Sequence, residues 1–259
     1  MSRVKLATTV ATLAVLVWGL GTGPFLDGLR AVDGEALAAA AALAVLTTAC
    51  CAWRWRIVAR GLGVDLPLGT AVAAYYRSIF LNVTLPGGVV GDVHRGLGHG
   101  MRAVVTERVA GQAVQIVLTV AVLCVVATPV GPLVALALVA VTLVVVIAKA
   151  WATIALASAL VVAGHVATFL IAARTAGVTA PLSELLPLAL LVLAGAALPN
   201  VGGWGPREGV AAWAFAAAGL GASLGVTTAV VYGVMVLFAC QPGAAVLLAD
   251  SLYRGTAHA

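Results

Sequence analysis

Two stretches of this sequence, residues 109–148 and 209–249, contain no Asp, Glu, Lys or Arg. A helix needs about 20 consecutive apolar residues to cross the hydrocarbon core of a bilayer, so each stretch is long enough to cross it. The chain as a whole is also apolar, since 63% of its 259 residues are hydrophobic and 9% are charged. An ordinary soluble domain is about 25% charged. These features exclude a soluble enzyme, a nucleic-acid-binding domain and a disordered linker, and they predict a single integral membrane domain over residues 1–259.

Six apolar segments have the length of a membrane-spanning helix. They are residues 6–22, 36–53, 109–127, 132–148, 150–172 and 226–248. Residues 128–132 contain two prolines and a glycine, and they predict a tight helical hairpin that divides the chain into halves of about 1–128 and 132–250. The first segment follows Arg3 and Lys5 as in a signal peptide, but further spans come after it, so we interpret it as a retained helix.

Two further apolar regions do not fit a simple crossing. Residues 66–85 carry Arg77 in their middle, where an arginine costs about 2.5–3.5 kcal/mol on insertion scales. Residues 185–198 end before Pro199, and the next apolar run, 209–220, is too short to span. Backbone that stops inside a bilayer must be satisfied by protein or by water in a cavity. We therefore predict an all-α polytopic membrane protein with about six transmembrane helices, two re-entrant or broken-helix elements and an inverted repeat.

The positions of the basic residues favour a re-entrant stretch at 66–85. If this stretch turns back, Arg95, Arg102 and Arg108 lie on the same side of the membrane as the N-terminal basic residues. If it crosses, they lie on the opposite side, which conflicts with the excess of Lys and Arg in cytoplasmic loops. The abundance of Ala and of Arg over Lys indicates a bacterial source. We expect a multi-pass protein of the bacterial inner membrane with its N-terminus in the cytoplasm.

Each broken element contains Leu-Pro, then glycines, then an acid close to an arginine. The first motif, residues 82–95, reads Asn-Val-Thr-Leu-Pro-Gly-Gly-Val-Val-Gly-Asp-Val-His-Arg, and the second, residues 198–208, reads Leu-Pro-Asn-Val-Gly-Gly-Trp-Gly-Pro-Arg-Glu. Proline ends a helix, glycine permits unusual backbone angles, and the freed amides together with a guanidinium suit a phosphate. Paired broken helices in two halves point to a transporter's binding site. The alternative is that both segments are loops whose acid–arginine pairs only neutralise each other.

The first motif, followed by Glu107 and Arg108 before a span, resembles the flippase-like family of the lysylphosphatidylglycerol synthase transmembrane domain. The second motif resembles that family's second signature, and the likeness covers about residues 6–250. It implies a polytopic membrane protein that moves lipids or lipid-linked molecules between leaflets. The residues that match the family's motifs are Asn82, Pro86, Gly91, Asp92, Arg95, Glu107, Arg108, Pro199, Gly203, Gly205 and Glu208.

Two departures from this family limit what the resemblance implies. We find no soluble aminoacyl-transferring domain in the chain, so lysyl transfer to lipid is not implied. In the last predicted span many relatives carry an arginine where this chain reads Val-Tyr-Gly-Val at residues 231–234. We therefore do not infer that this chain binds the same head group as the family.

We expect a translocase for a membrane lipid or a polyprenyl-linked molecule, with an anionic head group bound in a cavity near the midplane of the bilayer. Arg95, Arg207 and Arg77 would meet the phosphate, while Asp92 and Glu208 would orient the arginines or couple protons. The full set of candidate substrate-binding residues is Arg77, Asn82, Pro86, Gly88, Gly91, Asp92, Arg95, Glu107, Arg108, Pro199, Gly203, Trp204, Gly205, Arg207 and Glu208. The alternative function is a non-transporting membrane subunit that binds a lipid-linked substrate for a separate glycosyl- or aminoacyl-transferase.

Enzymatic and metal chemistry find little support in the sequence. The chain has no zinc-protease signature, nucleophile elbow or phosphate-cradling loop, so we assign no catalytic residue and no cofactor. An enzyme acting on a lipid phosphate through Asp92 or His94 is the third hypothesis. Asp92, His94 and His99 lie close together in the sequence, but they have no familiar metal-ligand spacing and no further strong ligand, so we expect no metal there.

For isolated polar and aromatic side chains in or beside the spans, we expect structural roles. His165 lies alone in an uncharged span, which indicates a hydrogen bond to a neighbouring helix rather than a proton relay. Trp53, Trp55 and Trp151 flank basic residues at predicted span ends, which is typical of side chains at the membrane interface.

Overall fold

The computed structural model describes residues 2–85, 88–127, 149–196, 198, 200–201 and 203–256, and its regular elements within these ranges are α-helices. In chain order they are α1 (Ser2–Leu20), α2 (Gly23–Ala31), α3 (Gly34–Gly61), α4 (Leu68–Thr84), α5 (Val90–His99), α6 (Met101–Ala127), α7 (Lys149–Thr175), α8 (Leu182–Ala196), α9 (Pro206–Ala217), α10 (Ala222–Ala239) and α11 (Pro242–Thr256). The predicted all-α polytopic membrane fold is confirmed.

Among the described residues, four segments are long and apolar enough to cross a membrane. They are Gly34–Gly61, Met101–Val125, Ala152–Thr175 and Ala222–Leu252, and they confirm the spans predicted at 36–53, 109–127, 150–172 and 226–248. Helices α1 and α2 pass the same test together but are bent by 98°, so the segment predicted at 6–22 continues into a sharp corner. Gly21, with a φ of 74°, lies at this corner. The hairpin at 128–132 and the span at 132–148 lie outside the described residues.

The two regions predicted as broken elements each form a pair of short helices that pack against each other. Helix α4 contacts α5, and α8 contacts α9. Helix α8 has 15 residues and α9 has 12, so each is shorter than a simple crossing requires. The helix breaks therefore lie where the sequence predicts them, whereas the re-entrant placement and the inverted repeat stay predictions.

The main apolar core lies in the second half of the chain, where α7, α8, α9 and α10 pack together. Its largest buried side chains include Phe169, Leu185, Phe215 and Met235. The rings of Phe169 and Phe215 meet edge to face with their centroids 6.4 Å apart. Helix α3 joins this core by packing along α7.

A second cluster lies where α3, α4 and the start of α6 meet. Trp55, Ala71 and Tyr75 are buried in it. Helix α3 extends to Gly61, beyond the predicted end of the span at residue 53, so Arg54 and Trp55 lie inside the bundle. The interfacial position predicted for Trp55 is therefore wrong, since its side chain is fully buried. Trp53 is half exposed, and the side chain of Trp151 lies outside the described part of the structure.

Close packing of α4 against α5 requires glycine at residue 91. A Cβ atom built there would overlap the backbone carbonyl of Ser78, whereas one at Gly98 on the same helix would meet nothing within 4 Å. We expect Gly91→Ala to destabilise the protein by about 1–3 kcal/mol through overpacking. Gly98→Ala is the control and should match or exceed wild-type stability, because alanine favours a helix by about 1 kcal/mol over glycine. Melting temperatures in detergent provide the measurement, and equal temperatures for both variants would contradict the prediction.

Candidate functional site

The carboxylate of Glu107 connects four helices. It lies on α6, is 0% exposed, and accepts hydrogen bonds from one side chain on each of α3, α4 and α5. Arg54 Nε and the Tyr75 hydroxyl each donate to Oε1 at 2.8 Å. Arg95 Nη2 donates to Oε2 at 3.2 Å. Because a buried carboxylate is costly unless it is paired and hydrogen-bonded, these three donors are what stabilises Glu107 at this buried position.

The guanidinium of Arg95 is enclosed by aromatic rings and carboxylates. Its Cζ atom lies 4.0 Å from the ring centroid of Tyr75 and 4.5 Å from that of Trp55. Its Nη2 group also donates to Asp92 Oδ1 at 3.0 Å. The residue is only 1% exposed. Cation–π contacts and two carboxylates thus fix Arg95 in place, and its guanidinium is not open to a ligand.

Asp92, on α5 outside the span candidates, accepts hydrogen bonds from residues on three helices. Ser78 Oγ donates to Oδ1 at 3.1 Å, and Asn82 Nδ2 donates to Oδ2 at 3.0 Å. Arg108 of α6 forms an ion pair with the same Oδ2 atom. Burial alone would raise the pKa of Asp92, but Arg108, Arg95 and the bond from Asn82 together lower it below its ordinary value. Asp92 is therefore an anion at neutral pH.

An asparagine holds the turn in each of the two motifs. Asn82 Oδ1 accepts from the backbone N–H of Gly91 at 2.8 Å, and Asn200 Oδ1 accepts from that of Gly203 at 2.9 Å. The two turns also meet each other. Gly88 has a φ of 64°, and a Cβ atom on it would come within 3.1 Å of Asn200 Oδ1.

The polar groups of the second motif form hydrogen bonds with one another at the start of α9. The backbone N–H of Gly205 donates to Glu208 Oε2 at 2.7 Å, and Arg207 Nε donates to Oε1 at 3.0 Å. The Arg207 guanidinium lies 5.4 Å from the ring centroids of both Trp204 and Tyr232. Arg207 and Glu208 thus neutralise each other, as the alternative interpretation of this motif expects.

A cavity of about 290 Å³ lies among α3, α4, α6, α7, α8 and α10. Its polar lining residues are Arg54, Tyr75, Arg108, Gln112, Gln115, Ser158, His165 and Tyr232. Arg54 is nearly buried, because it bonds Glu107 and also donates to Ser158 Oγ at 2.8 Å. The side chain of Arg108 is 45% exposed. Arg108 is therefore the more exposed of the two arginines that line this cavity.

The structure brings some of the predicted site residues together and separates others. Asn82, Asp92, Arg95, Glu107 and Arg108 form one cluster through direct bonds. Arg77 instead pairs with Asp250 of α11. Pro86 and Pro199 lie outside the described residues.

Several polar residues of this site belong to no recognisable sequence motif. Arg54 directly follows a predicted span, Ser158 lies within one, and Gln112 and Gln115 lie in an uncharged run. The signal for Arg54 is its spacing from Cys51, since residues three apart share a helix face and Cys51 is buried. His165 Nδ1 lies 3.1 Å from the Tyr232 hydroxyl, which confirms the predicted hydrogen bond to another helix.

Asp92, His94 and His99 lie close together in the sequence without a metal-ligand spacing. In the part of the chain that the structure describes, no three His, Cys, Asp or Glu side chains come together in the manner of a metal site. The ring of His99 instead meets that of Trp55 edge to face, with centroids 5.6 Å apart.

The chain is similar to a known protein family. Residues 3–151 match the family model described as the lysylphosphatidylglycerol synthase TM region. This range covers more than half of the chain and includes helices α1 to α6, the first motif and Glu107. No curated protein and no solved structure matches the chain.

Replacing Glu107 by glutamine tests the role of its carboxylate in stability. Glu107→Gln keeps the side-chain shape but leaves Arg54 and Arg95 without their shared anion. We expect a loss of about 3–5 kcal/mol in unfolding free energy, because breaking a buried ion pair leaves uncompensated charge. Glu184→Gln, at an exposed position in the first turn of α8, is the control and should cost less than about 1 kcal/mol. Denaturant titration in detergent gives both values, and similar losses would contradict this role of Glu107.

Proposed function

The chain belongs to the family of lysylphosphatidylglycerol synthase TM regions, which connects it with membrane lipids, and from this premise we propose that it is a lipid translocase. Its substrate would be a membrane lipid or lipid-linked molecule with an anionic, phosphate-bearing head group. The head group would lie in the cavity beside Arg108. We place the protein in the bacterial inner membrane with its N-terminus in the cytoplasm, on the distribution of basic residues described above.

The observation that carries this proposal is an excess of positive charge at the cavity. The cluster contains the guanidinium groups of Arg54, Arg95 and Arg108 but only the carboxylates of Asp92 and Glu107, which leaves one positive charge in excess. An unbalanced charge inside a membrane protein is expensive. A phosphate with one negative charge would balance it, and the planar guanidinium fork suits phosphate oxygens.

The members of the cluster have different roles in this proposal. Arg108 contacts the head group, because it lines the cavity and its side chain is half exposed. Arg54 lines the same cavity and adds positive potential from behind Glu107. Arg95 is a positioning residue, since aromatic rings cover it. The contact that the sequence predicts for Arg95 is thus assigned to Arg108 instead.

A second candidate function is a membrane subunit that binds a lipid-linked substrate for a separate glycosyl- or aminoacyl-transferase without transporting it. The bonds of Glu107 to α3, α4 and α5 favour this function, because they join four helices in one arrangement. A translocase must open its site to each side of the membrane in turn. A rigid site of this kind suits a protein that only binds.

Removing the charge of Arg108 should impair transport. The purified protein is placed in vesicles with fluorescently labelled phosphatidylglycerol, and an impermeant reductant destroys the label in the outer leaflet. We expect Arg108→Gln to slow translocation at least about tenfold, because a hydrogen bond to a charged group contributes about 1.5–3 kcal/mol. Arg102→Gln is the matched control, since Arg102 is exposed on the same helix and does not line the cavity, and it should transport normally.

The same assay separates the two candidate functions. Wild-type protein that binds labelled phosphatidylglycerol but leaves its leaflet distribution unchanged would support the binding subunit. Arg108→Gln that translocates as fast as Arg102→Gln would overturn the assignment of Arg108 to the head group.

A further inference from the structure

One face of α6 carries a row of charged and polar side chains, with apolar side chains beside the far end of the row. Arg108, Gln112 and Gln115 lie on this face, and Thr119 follows one turn later. Residues three or four apart share a helix face, so these side chains form a continuous row. The row extends about 17 Å from Arg108 to Thr119, at about 1.5 Å per residue. An amphiphilic ligand has the same order of polarity, from its anionic head to its hydrocarbon tail.

The two ends of this row line two adjoining cavities. The cavity of about 290 Å³ has Arg108, Gln112 and Gln115 in its wall. A second cavity, of about 420 Å³, has the same two glutamines in its wall and continues along Ile116, Thr119 and Val120 of α6 to Ala194 of α8. Because Gln112 and Gln115 border both cavities, the two adjoin at these side chains.

The second cavity has the properties of a site for a hydrocarbon chain. Three of its lining residues, Ile116, Val120 and Ala194, are apolar. Ile116 is 61% exposed and Val120 is 38% exposed, so both have free surface for a ligand to cover. Its volume lies within the range of about 300–1,000 Å³ that is usual for ligand pockets.

We infer that this second cavity, the tail groove lined by Ile116, Thr119, Val120 and Ala194, binds one acyl or isoprenoid chain of the ligand. The head group of the same molecule lies at Arg108, and the amides of Gln112 and Gln115 donate hydrogen bonds to the ester or phosphate oxygens that join head to tail. The lipid thus enters sideways, between α6 and α8. This inference rests on the proposed function, since it assumes that Arg108 binds the head group.

Blocking the tail groove should remove the gain in binding affinity that a longer acyl chain gives, and it should leave head-group binding unchanged. The purified protein is titrated calorimetrically with phosphatidylglycerols of increasing chain length. Burying one methylene from water strengthens binding about fourfold, which is the upper limit for a chain that moves from detergent into the groove. Affinity should therefore rise by less than this with each added methylene until the groove is filled. We expect Ala194→Trp to abolish this rise while keeping the wild-type affinity for the shortest lipid.

Two matched variants complete this experiment. Ala113→Trp adds the same bulk at an exposed position of α6 outside both cavities, and it should keep the wild-type dependence on chain length. Partitioning into detergent affects all variants equally and cancels in the comparison. Val120→Trp blocks the groove from the other helix and should repeat the result of Ala194→Trp. The retained affinity for the shortest lipid shows that each variant is folded.

The outcomes separate this inference from the proposed function. If Ala194→Trp and Val120→Trp keep the full dependence on chain length while Arg108→Gln weakens all the lipids equally, the tail groove is overturned and the head-group site stands. If the groove variants lose the dependence but Arg108→Gln binds normally, the tail groove stands and the head-group site is overturned.

Discussion

The buried carboxylate of Glu107 is the interaction on which the first half of the structure depends. Pairing a charge inside a protein seldom adds stability by itself, because desolvation offsets the attraction between the partners. Hydrophobic residues of similar volume would fill the same space at less cost. The donors from α3, α4 and α5 therefore indicate that Glu107 provides structural specificity. Only one arrangement of these helices satisfies its hydrogen bonds.

The second half is held together by other means. Phe169, Phe215 and Met235 fill a core in which helices pack through apolar contacts. The charges of its motif, Arg207 and Glu208, lie next to each other in the sequence and pair without help from another helix. The first motif thus organises several helices through charge, whereas the second one caps a single helix. This asymmetry explains why the excess positive charge lies on the side of Arg108.

Hydropathy was sufficient to predict the four confirmed spans, and proline with glycine was sufficient to predict the helix breaks, because both depend on local sequence. The partners of the charged residues could not be predicted in this way. Arg54 looks like a basic residue at a span end, but α3 continues to Gly61 and carries it into the bundle. Trp55 was misplaced for the same reason. Its ring lies against the guanidinium of Arg95, which is 40 residues away in the sequence and comes close only through the fold.

Each motif has an arginine that contacts a tyrosine in the lining of the same cavity. Tyr75 has the guanidinium of Arg95 on its ring and donates its hydroxyl to Glu107. Tyr232 has the guanidinium of Arg207 near its ring and shares a hydrogen bond with His165. Both tyrosines line the same cavity wall. A ligand that shifts either tyrosine ring changes the contact of that ring with an arginine. Ligand binding in the cavity is then coupled to the conformation of the two turns, provided that the ligand binds one conformation more tightly than the other. Tyr232 thus gives the second motif, whose own charges are already neutralised, a direct physical connection to the site.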